Sequence, residues 1–473
     1  MRKTKIICTM GPACADEGVM AEMLRAGMNI ARFNFSHGDH EYHKNMMDTF
    51  RRVRDRLHLP AAVLLDTKGP EIRLRTFAGG KATLHRGATF TLTTREVEGN
   101  GQEVSISFPS LPAQLRPGIR ILLDDGKVAL MTKEITETDI ICSVEAGGTL
   151  SDRKSLNIPN FPIDMEYLSP QDESDLIFGI EQDVDFVAAS FVRRREDVIA
   201  LRKFLDYHGG HRIRIIAKIE NIEGVNHFDE ILANCDGIMV ARGDMGVEVE
   251  FERLPGLQKR FIRKCYQSGK MVITATQMLE SMIHSTTPTR AEITDVANAV
   301  FDGTSAVMLS AETAAGDHPA LVVRVMSRIA EQAEEDAFEM KVYRGIPYDI
   351  DTSDVTNAIC DAAVTTARDV HAKAIIAVTT SGLTARRVSK FRPLQTIVAA
   401  TPSVKTFHQL SLSWGVEPVL ALNQEDTEHL FVHAVDCAKQ MDLVTAGDTV
   451  VITAGVPLKQ TGTTNLLKVQ VVQ

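Results

Sequence analysis

Aromatic residues are scarce in this sequence, 5% of 473, with a single tryptophan. Few rings leave few platforms on which unpaired bases could stack. Positive charge is also short: 52 Lys and Arg stand against 62 Asp and Glu, a net charge of −10, with no basic block. A mildly acidic chain of this kind is not expected to bind nucleic acid through its phosphates. No apolar run approaches the ~18 residues that cross a bilayer. The N-terminal MRKTKIICTMGP is too briefly apolar for a secretory signal and ends in Gly-Pro. The seven cysteines (8, 14, 142, 235, 265, 360, 437) form no C-x-x-C pair, so a zinc ribbon or redox dithiol is not expected. Reduced, mostly buried thiols in a cytoplasmic protein fit this usage. No sequence repeat of 20–50 residues points to a solenoid, and Walker A, HRD and DFG motifs are missing.

What is present is ordinary globular composition, 44% hydrophobic and 24% charged, in a chain long enough for about three domains. Eight Val- and Ile-rich runs alternate with helical patterns: KIICTM (5–10), NIARFNF (29–35), AAVLLDT (61–67), VDFVAASFV (184–192), IRIIAKIE (213–220), DGIMVARGD (236–244), MVITATQ (271–277) and SAVMLSAE (305–312). Alternating strand and helix imply parallel βαβ units. Eight units fit an α/β fold of the (β/α)₈ TIM-barrel kind, though a doubly wound sheet also satisfies the pattern. Between residues 70 and 168 the alternation gives way to turn signals (AGG, EGNG, RPG, DDGK) and short alternating runs such as TFTLTT. That stretch reads as a small all-β module inserted above the C-terminal rim, a hinged cap or a passive decoration. GIPYDIDT reads as a linker, followed by a second strand set at 374–382, 396–401, 416–422, 449–455 and 466–472. The expected domains are therefore barrel at 1–69 and 169–344, cap at 70–168 and a C-terminal α/β domain at 345–473.

Chemistry concentrates at strand ends. In ARFNFSHG, period two puts Arg32, Asn34 and Ser36 on one face, and Ala31, Phe33 and Phe35 on the other. DTKGPEIR supplies Asp66, Thr67, Lys68, Glu71 and Arg73. Asn34, Ser36, Asp66 and Thr67 form an all-oxygen set suited to K⁺ or Mg²⁺. AKIEN places Lys218 and Glu220 on one face, and ARGDMG puts Asp244 at the next strand's tip, with Gly243 and Gly246 beside it. Two neighbouring carboxylates with a lysine make a divalent-metal site suited to phosphoryl transfer. A buried ion network is the competing reading. Thr276 ends the seventh strand, where it could relay a proton or serve structure alone. Ser151 and Lys154 match S-x-x-K without its companion motifs, and His40 and His43 are expected on the surface, because His37, His40 and His43 lack zinc spacing. In AVTTSGLTARRVSKF, Thr379, Thr380, Ser381, Gly382 and Thr384 offer a phosphate cradle or simple helix capping.

The motifs IARFNFSHG (30–38), DTKGPEIR (66–73), IIAKIENIEGV (215–225), MVARGDMG (239–246), ITATQMLESM (273–282) and VMLSAETAAG (307–316) together resemble the pyruvate kinase family, in that family's order. The resemblance implies transfer of phosphate from phosphoenolpyruvate to ADP, giving pyruvate and ATP. It implies a TIM barrel with an inserted small β-barrel cap and a C-terminal effector-binding domain. Lys218 would stabilise the migrating phosphoryl group, and Arg32 would contact it. Glu220 and Asp244 would bind Mg²⁺ or Mn²⁺. Asn34, Ser36, Asp66 and the Thr67 carbonyl would bind K⁺, and Glu71 goes with K⁺ dependence. Gly243 and Thr276 would hold the substrate carboxylate, with Thr276 also serving proton delivery. Asn34, Phe35, Ser36, His37, Arg73 and Lys154 would contact nucleotide. The loops at 379–384 and 455–465 would take a phosphorylated effector, a sugar phosphate or nucleotide. A cytoplasmic homotetramer is implied, with no nucleic-acid or membrane partner. The chain is expected to lack the N-terminal arm and extra C-terminal domain of longer members, and GDMG replaces the commoner GDLG. An aldol-cleaving barrel enzyme would share the carboxylate pair without needing Arg73 and Lys154. A non-catalytic sensor would be expected to have lost Lys218, Glu220 or Asp244.

Overall fold

The computed structural model describes residues 1–343, 354–422, 426–457 and 464–473. The expected linker at 345–352, and positions 458–463 of the 455–465 loop, lie outside the described residues. Each of the eight apolar runs forms a strand: β1 (Lys5–Thr9), β2 (Ile30–Asn34), β3 (Ala62–Asp66), β4 (Phe186–Ala189), β5 (Arg214–Ile219), β6 (Gly237–Ala241), β7 (Met271–Ala275) and β8 (Ala306–Leu309). They close into one barrel. Closure comes from β1 pairing parallel to β8, Lys5 opposite Ala306 through Cys8 opposite Leu309, which excludes an open doubly wound sheet.

The pleat sorts the side chains. Ile30, Leu64, Phe186, Ile216, Met239 and Ile273 fill the barrel interior. Ala31, Phe33 and Phe35 face outward, clustered with helix residues such as Met20 and Phe50. Each fully buried side chain of this size is worth about 2 kcal/mol. Inward positions at the C-terminal end of β2 are thus left to Arg32 and Asn34.

The cap leaves the barrel after β3. Seven short strands between Ile72 and Asn157 form one sheet over a core of its own, including Phe90, Leu92, Ile121, Leu130 and Ile140. Its two edge strands meet through a bridge between Leu74 and Ile106, with Arg75 N donating to Ser105 O at 2.8 Å and Ser107 N to Arg73 O at 2.8 Å. The sheet therefore closes on itself as a small barrel. Exit and return are tied together. Ser169 and Asp172 form a capping box on helix α1 (Pro170–Glu181), and Asp172 Oδ1 also accepts from Gly69 N at 2.9 Å. Gly69 sits at φ +72°, and a Cβ there would meet the Ser190 carbonyl at 2.8 Å, so only glycine fits.

The C-terminal domain is a five-stranded sheet: β9 (Ala374–Val378), β10 (Thr396–Thr401), β11 (Val416–Leu420), β12 (Thr449–Ala454) and β13 (Leu466–Val471), in the order β11-β10-β9-β12-β13. Only β13 is antiparallel to its neighbour. This domain is stitched to the base of the barrel. Lys5 Nζ donates to Val416 O at 2.8 Å and pairs with Glu417 at 2.9 Å, and Gly415 N donates to Lys3 O at 2.9 Å. Among the described residues no helix is long and apolar enough to cross a membrane. All seven cysteines are free and buried.

Candidate active site

The C-terminal ends of β2 to β7 converge on one buried cation. Lys218, from β5, lies with Nζ 2.8 Å from Ser190 Oγ, 2.9 Å from Glu220 Oε1 and 3.1 Å from Asp66 Oδ1. Arg32 donates from Nε to Asp66 Oδ2 at 2.6 Å and from Nη1 to Thr9 Oγ1 at 2.8 Å. Burial alone would raise the Asp66 carboxyl, but Arg32 and Lys218 outweigh it and hold Asp66 below its ordinary value. Burial opposes the Lys218 charge as well, yet Asp66 and Glu220 keep its pKa above the usual lysine value. The ammonium is therefore permanent at neutral pH.

Glu220 is the strained partner. Its Oε2 accepts from Phe191 N at 2.6 Å. Burial pushes its pKa up to about 7 in spite of Lys218, and the nearby Asp244 adds to the rise. Asp244 is raised too, by burial first and by the cap residues Asp125 and Glu71 facing it. It does not sit on a strand tip as the sequence implied: β6 stops at Ala241, and Asp244 lies in the first turn of helix α2 (Arg242–Glu248). A buried and a half-buried carboxylate that resist ionising together, both hard oxygen donors, fit a divalent cation. Among the described residues no group of three or more His, Cys, Asp or Glu could hold a metal. A cation here would complete its shell from substrate or water, as Mg²⁺ commonly does.

The donor set expected for a monovalent cation is also oxygen throughout. Asn34 pairs with Asp66 in the β2–β3 register, and Phe35 N donates to Asp66 O at 3.0 Å. Asn34 Oδ1 accepts from Ser36 N at 3.2 Å, and the Thr67 carbonyl accepts from Ser190 Oγ at 2.6 Å. That chemistry suits a large, hard cation.

On the far wall, Thr276 follows β7 in the left-handed region, φ +68°, as does Gln277 at +53°. For a β-branched residue this backbone is costly and persists only where neighbours enforce it. Gly243 N donates to Thr276 Oγ1 at 2.8 Å, and the hydroxyl donates to Ala275 O at 2.6 Å. Arg242 clamps the turn, with Nη2 to Thr276 O at 2.6 Å and Nη1 to Asp295 at 2.7 Å.

On the cap side, Arg73 pairs with Glu71 at 2.7 Å, and Lys154 with Asp124 at 2.9 Å. Arg73 lies opposite Ser155 in the sheet, so Arg73 and Lys154 are neighbours although 81 positions apart in sequence. The surface assignment is corrected for His43, while His40 stays partly exposed. His43 is buried, its ring stacked on Phe35 at 4.1 Å between centroids, and its Nε2 donates to His37 O at 2.7 Å. His40 stacks on Phe178 at 4.5 Å and bonds buried Asp175 at 2.6 Å. Helix periodicity turned the His43 ring under the Asn34–His37 turn, and His37 itself is exposed.

Sequence reasoning missed Ser190, Arg242 and His43. Ser190 lies within the VDFVAASFV run, one residue past the end of β4, and carried the same strand-end signal as Lys218. Arg242 and His43 act through backbone carbonyls, for which spacing offers no signal.

In the C-terminal domain, the strand order reverses between β9 and β12, the point where doubly wound sheets bind ligands. The loop after β9 caps itself. Gly382 N donates to Thr379 Oγ1 at 2.9 Å, and Gly382 takes φ +79°. Thr384 Oγ1 lies 2.8 Å from Thr464 Oγ1, joining this loop to the end of the next. The Thr380 carbonyl accepts from Thr406 Oγ1 at 2.9 Å, and the Ser381 carbonyl from Arg386 at 3.0 Å.

The chain matches the family model of the pyruvate kinase barrel domain over residues 1–323, and that of the pyruvate kinase alpha/beta domain over 357–470. It is 46% identical over 476 residues to a pyruvate kinase of Clostridium acetobutylicum, covering 100% of both chains. Against a pyruvate kinase of Staphylococcus haemolyticus it is 46% identical over 474 residues, covering 100% of this chain and 81% of the other. The crystal structure of a pyruvate kinase from Cryptosporidium parvum superposes with a TM-score of 0.91 at 40% identity, covering 100% of this chain and 96% of that one.

Proposed function

The chain belongs to the pyruvate kinase family, metal-requiring phosphotransferases acting on phosphoenolpyruvate and ADP, and on that premise we propose how its barrel-rim residues divide the work. The observation that carries the reading is the buried Lys218 ammonium, held between Asp66 and Glu220 with Asp244 beside it. In the reaction, the bond between phosphorus and the enol oxygen breaks and a bond to a terminal ADP oxygen forms. Negative charge spreads over the three equatorial oxygens of the moving group, and a fixed cation in a water-poor pocket stabilises it best. Lys218 is that cation, and Arg32 is the second, held in place by Asp66 and Thr9.

Glu220 and Asp244 would hold Mg²⁺ or Mn²⁺, and Asn34, Ser36, Asp66 and the Thr67 carbonyl would hold K⁺. When bound, these ions neutralise phosphate and enolate charge. Gly243 and Thr276 would seat the substrate carboxylate, the Gly243 N–H turning from the Thr276 hydroxyl to the substrate. Thr276 then relays a proton from solvent water to the enolate carbon, its own hydroxyl proton being replaced in the same relay, giving pyruvate. Asn34, Phe35, Ser36, His37, Arg73 and Lys154 would receive the nucleotide. Thr379, Thr380, Ser381, Gly382 and Thr384 would receive a phosphorylated effector, at the switch point of the C-terminal sheet. The protein would work as a cytoplasmic homotetramer.

The test is pyruvate formation from phosphoenolpyruvate and ADP with Mg²⁺ and K⁺, beside Lys218→Met. Turnover that the variant lacks supports the assignment. Comparable turnover in the variant would remove Lys218 from the mechanism.

A further inference from the structure

Arg214 opens β5 at the end opposite Lys218. Here the loops before β5 and β6 meet the C-terminal domain and enclose a cavity of about 740 Å³. That size suits a small organic ligand. Its walls carry the side chains of Arg202, His211, Arg212 and Arg214 from the barrel, and Ser403 and Thr406 from the C-terminal domain. Asp236 is the one acid among the described lining residues, and it is already engaged, by Arg214 Nη1 at 2.7 Å and by Ile215 N at 2.9 Å. Arg202 is paired with Asp206 at 3.0 Å outside the lining, so the surplus positive charge rests on Arg212 and, behind the wall, on Arg386.

The surplus is crowded. Behind the wall, Arg386 donates to the Ser381 carbonyl at 3.0 Å, and Arg214 reaches the same oxygen at 3.5 Å. Burial, together with the Arg214 guanidinium, pushes the Arg386 pKa down to about 9. Two guanidiniums thus share one carbonyl and one carboxylate. Arg202 adds a buried Nε with no partner among the described residues. Arg212 crosses the domain boundary, its Nη2 donating to Ser403 Oγ at 2.8 Å. Ser403 Oγ also accepts from Thr406 N at 3.2 Å, which leaves the hydroxyl proton to donate. Converging guanidiniums and hydroxyls match the oxygens of a phosphate group.

We propose that this interdomain cavity binds a phosphate monoester, with Arg212 and Arg214 pairing its charge, Ser403 donating to it and the remaining volume holding the organic part. The site is distinct from the effector reading above. The 379–384 loop is their common wall: Thr384 faces Thr464 on one side, and the Ser381 carbonyl faces Arg214 on the other. An occupant would bridge barrel and C-terminal domain, since each supplies part of its shell.

Calorimetric titration of the full-length protein tests this, with glycerol 3-phosphate, inorganic phosphate and uncharged glycerol as probes. The variants are Arg212→Lys, Arg212→Glu, Ser403→Ala and Thr384→Val. Glycerol 3-phosphate should bind more tightly than inorganic phosphate, and glycerol not at all. Arg212→Glu should weaken binding by roughly tenfold or more, the scale of one charge-assisted hydrogen bond. Arg212→Lys should stay within a few-fold of the parent, which separates lost charge from lost folding, and Thr384→Val should not matter. No binding, or binding indifferent to Arg212→Glu, overturns the proposal. So does loss in Thr384→Val alone, which would put the anion on the outer side of the loop. Inorganic phosphate binding as tightly as the monoester would overturn the ligand class.

Discussion

Stripping metal from the protein and titrating it from about pH 5 to about pH 8 tests the Glu220 carboxyl directly. Its pKa stands at about 7 against an ordinary 4.5. Between those values the folded state holds a proton that the unfolded state has released, so stability falls as pH rises. The fall begins near the unfolded value and is complete above the folded one. At 1.36 kcal/mol per unit, a rise of 2.5 units is worth about 3 kcal/mol. Glu220→Gln keeps the shape and the acceptor for Phe191 N but cannot ionise. The difference in unfolding free energy between parent and variant, measured by urea denaturation in chelator, should therefore move by about 3 kcal/mol across the range in favour of the variant. Saturating Mg²⁺ should cancel the trend, because the cation stabilises the ionised form. Parallel profiles in chelator would refute both the burial penalty and the idea that metal relieves it.

Other outcomes follow from the same geometry. Lys218→Met should cut kcat about a thousandfold or more while leaving the ADP KM within a few-fold, measured in steady state. Activity should depend on K⁺, and full turnover in buffer free of both K⁺ and Na⁺ would contradict the oxygen set at Asn34, Ser36, Asp66 and Thr67. Arg242→Met should lower kcat/KM for phosphoenolpyruvate about a hundredfold, because the clamp on the left-handed Thr276 backbone is lost. Ser381→Asp should abolish activation by phosphorylated effectors and spare basal turnover, and unchanged activation would remove the 379–384 loop from that role.

Much of the site was legible because strand alternation is a local property. A period of two places Arg32 with Asn34, and Lys218 with Glu220, on a shared face whatever the rest of the chain does. The outward burial of Phe33 and Phe35 follows from the same pleat. Asp244, expected at a strand tip, lies on a helix instead, since Arg242–Glu248 turns helical one residue after β6 ends. His43 was misjudged because a helix facing the Asn34–His37 turn can bury a ring that spacing alone leaves on the surface.

The sequence by itself determined which residues stand at strand ends and which way they point, because backbone geometry repeats every two residues and needs no distant partner. Only the tertiary structure decided that Ser190, Lys218 and Asp66 share one set of hydrogen bonds, that Glu71 and Asp125 of the cap face Asp244, and that Arg212 meets Ser403 across 191 positions. The ionisation of Glu220 belongs to the second group. It depends on how much water is excluded and how close other charges lie, and neither distance nor burial exists until the barrel closes.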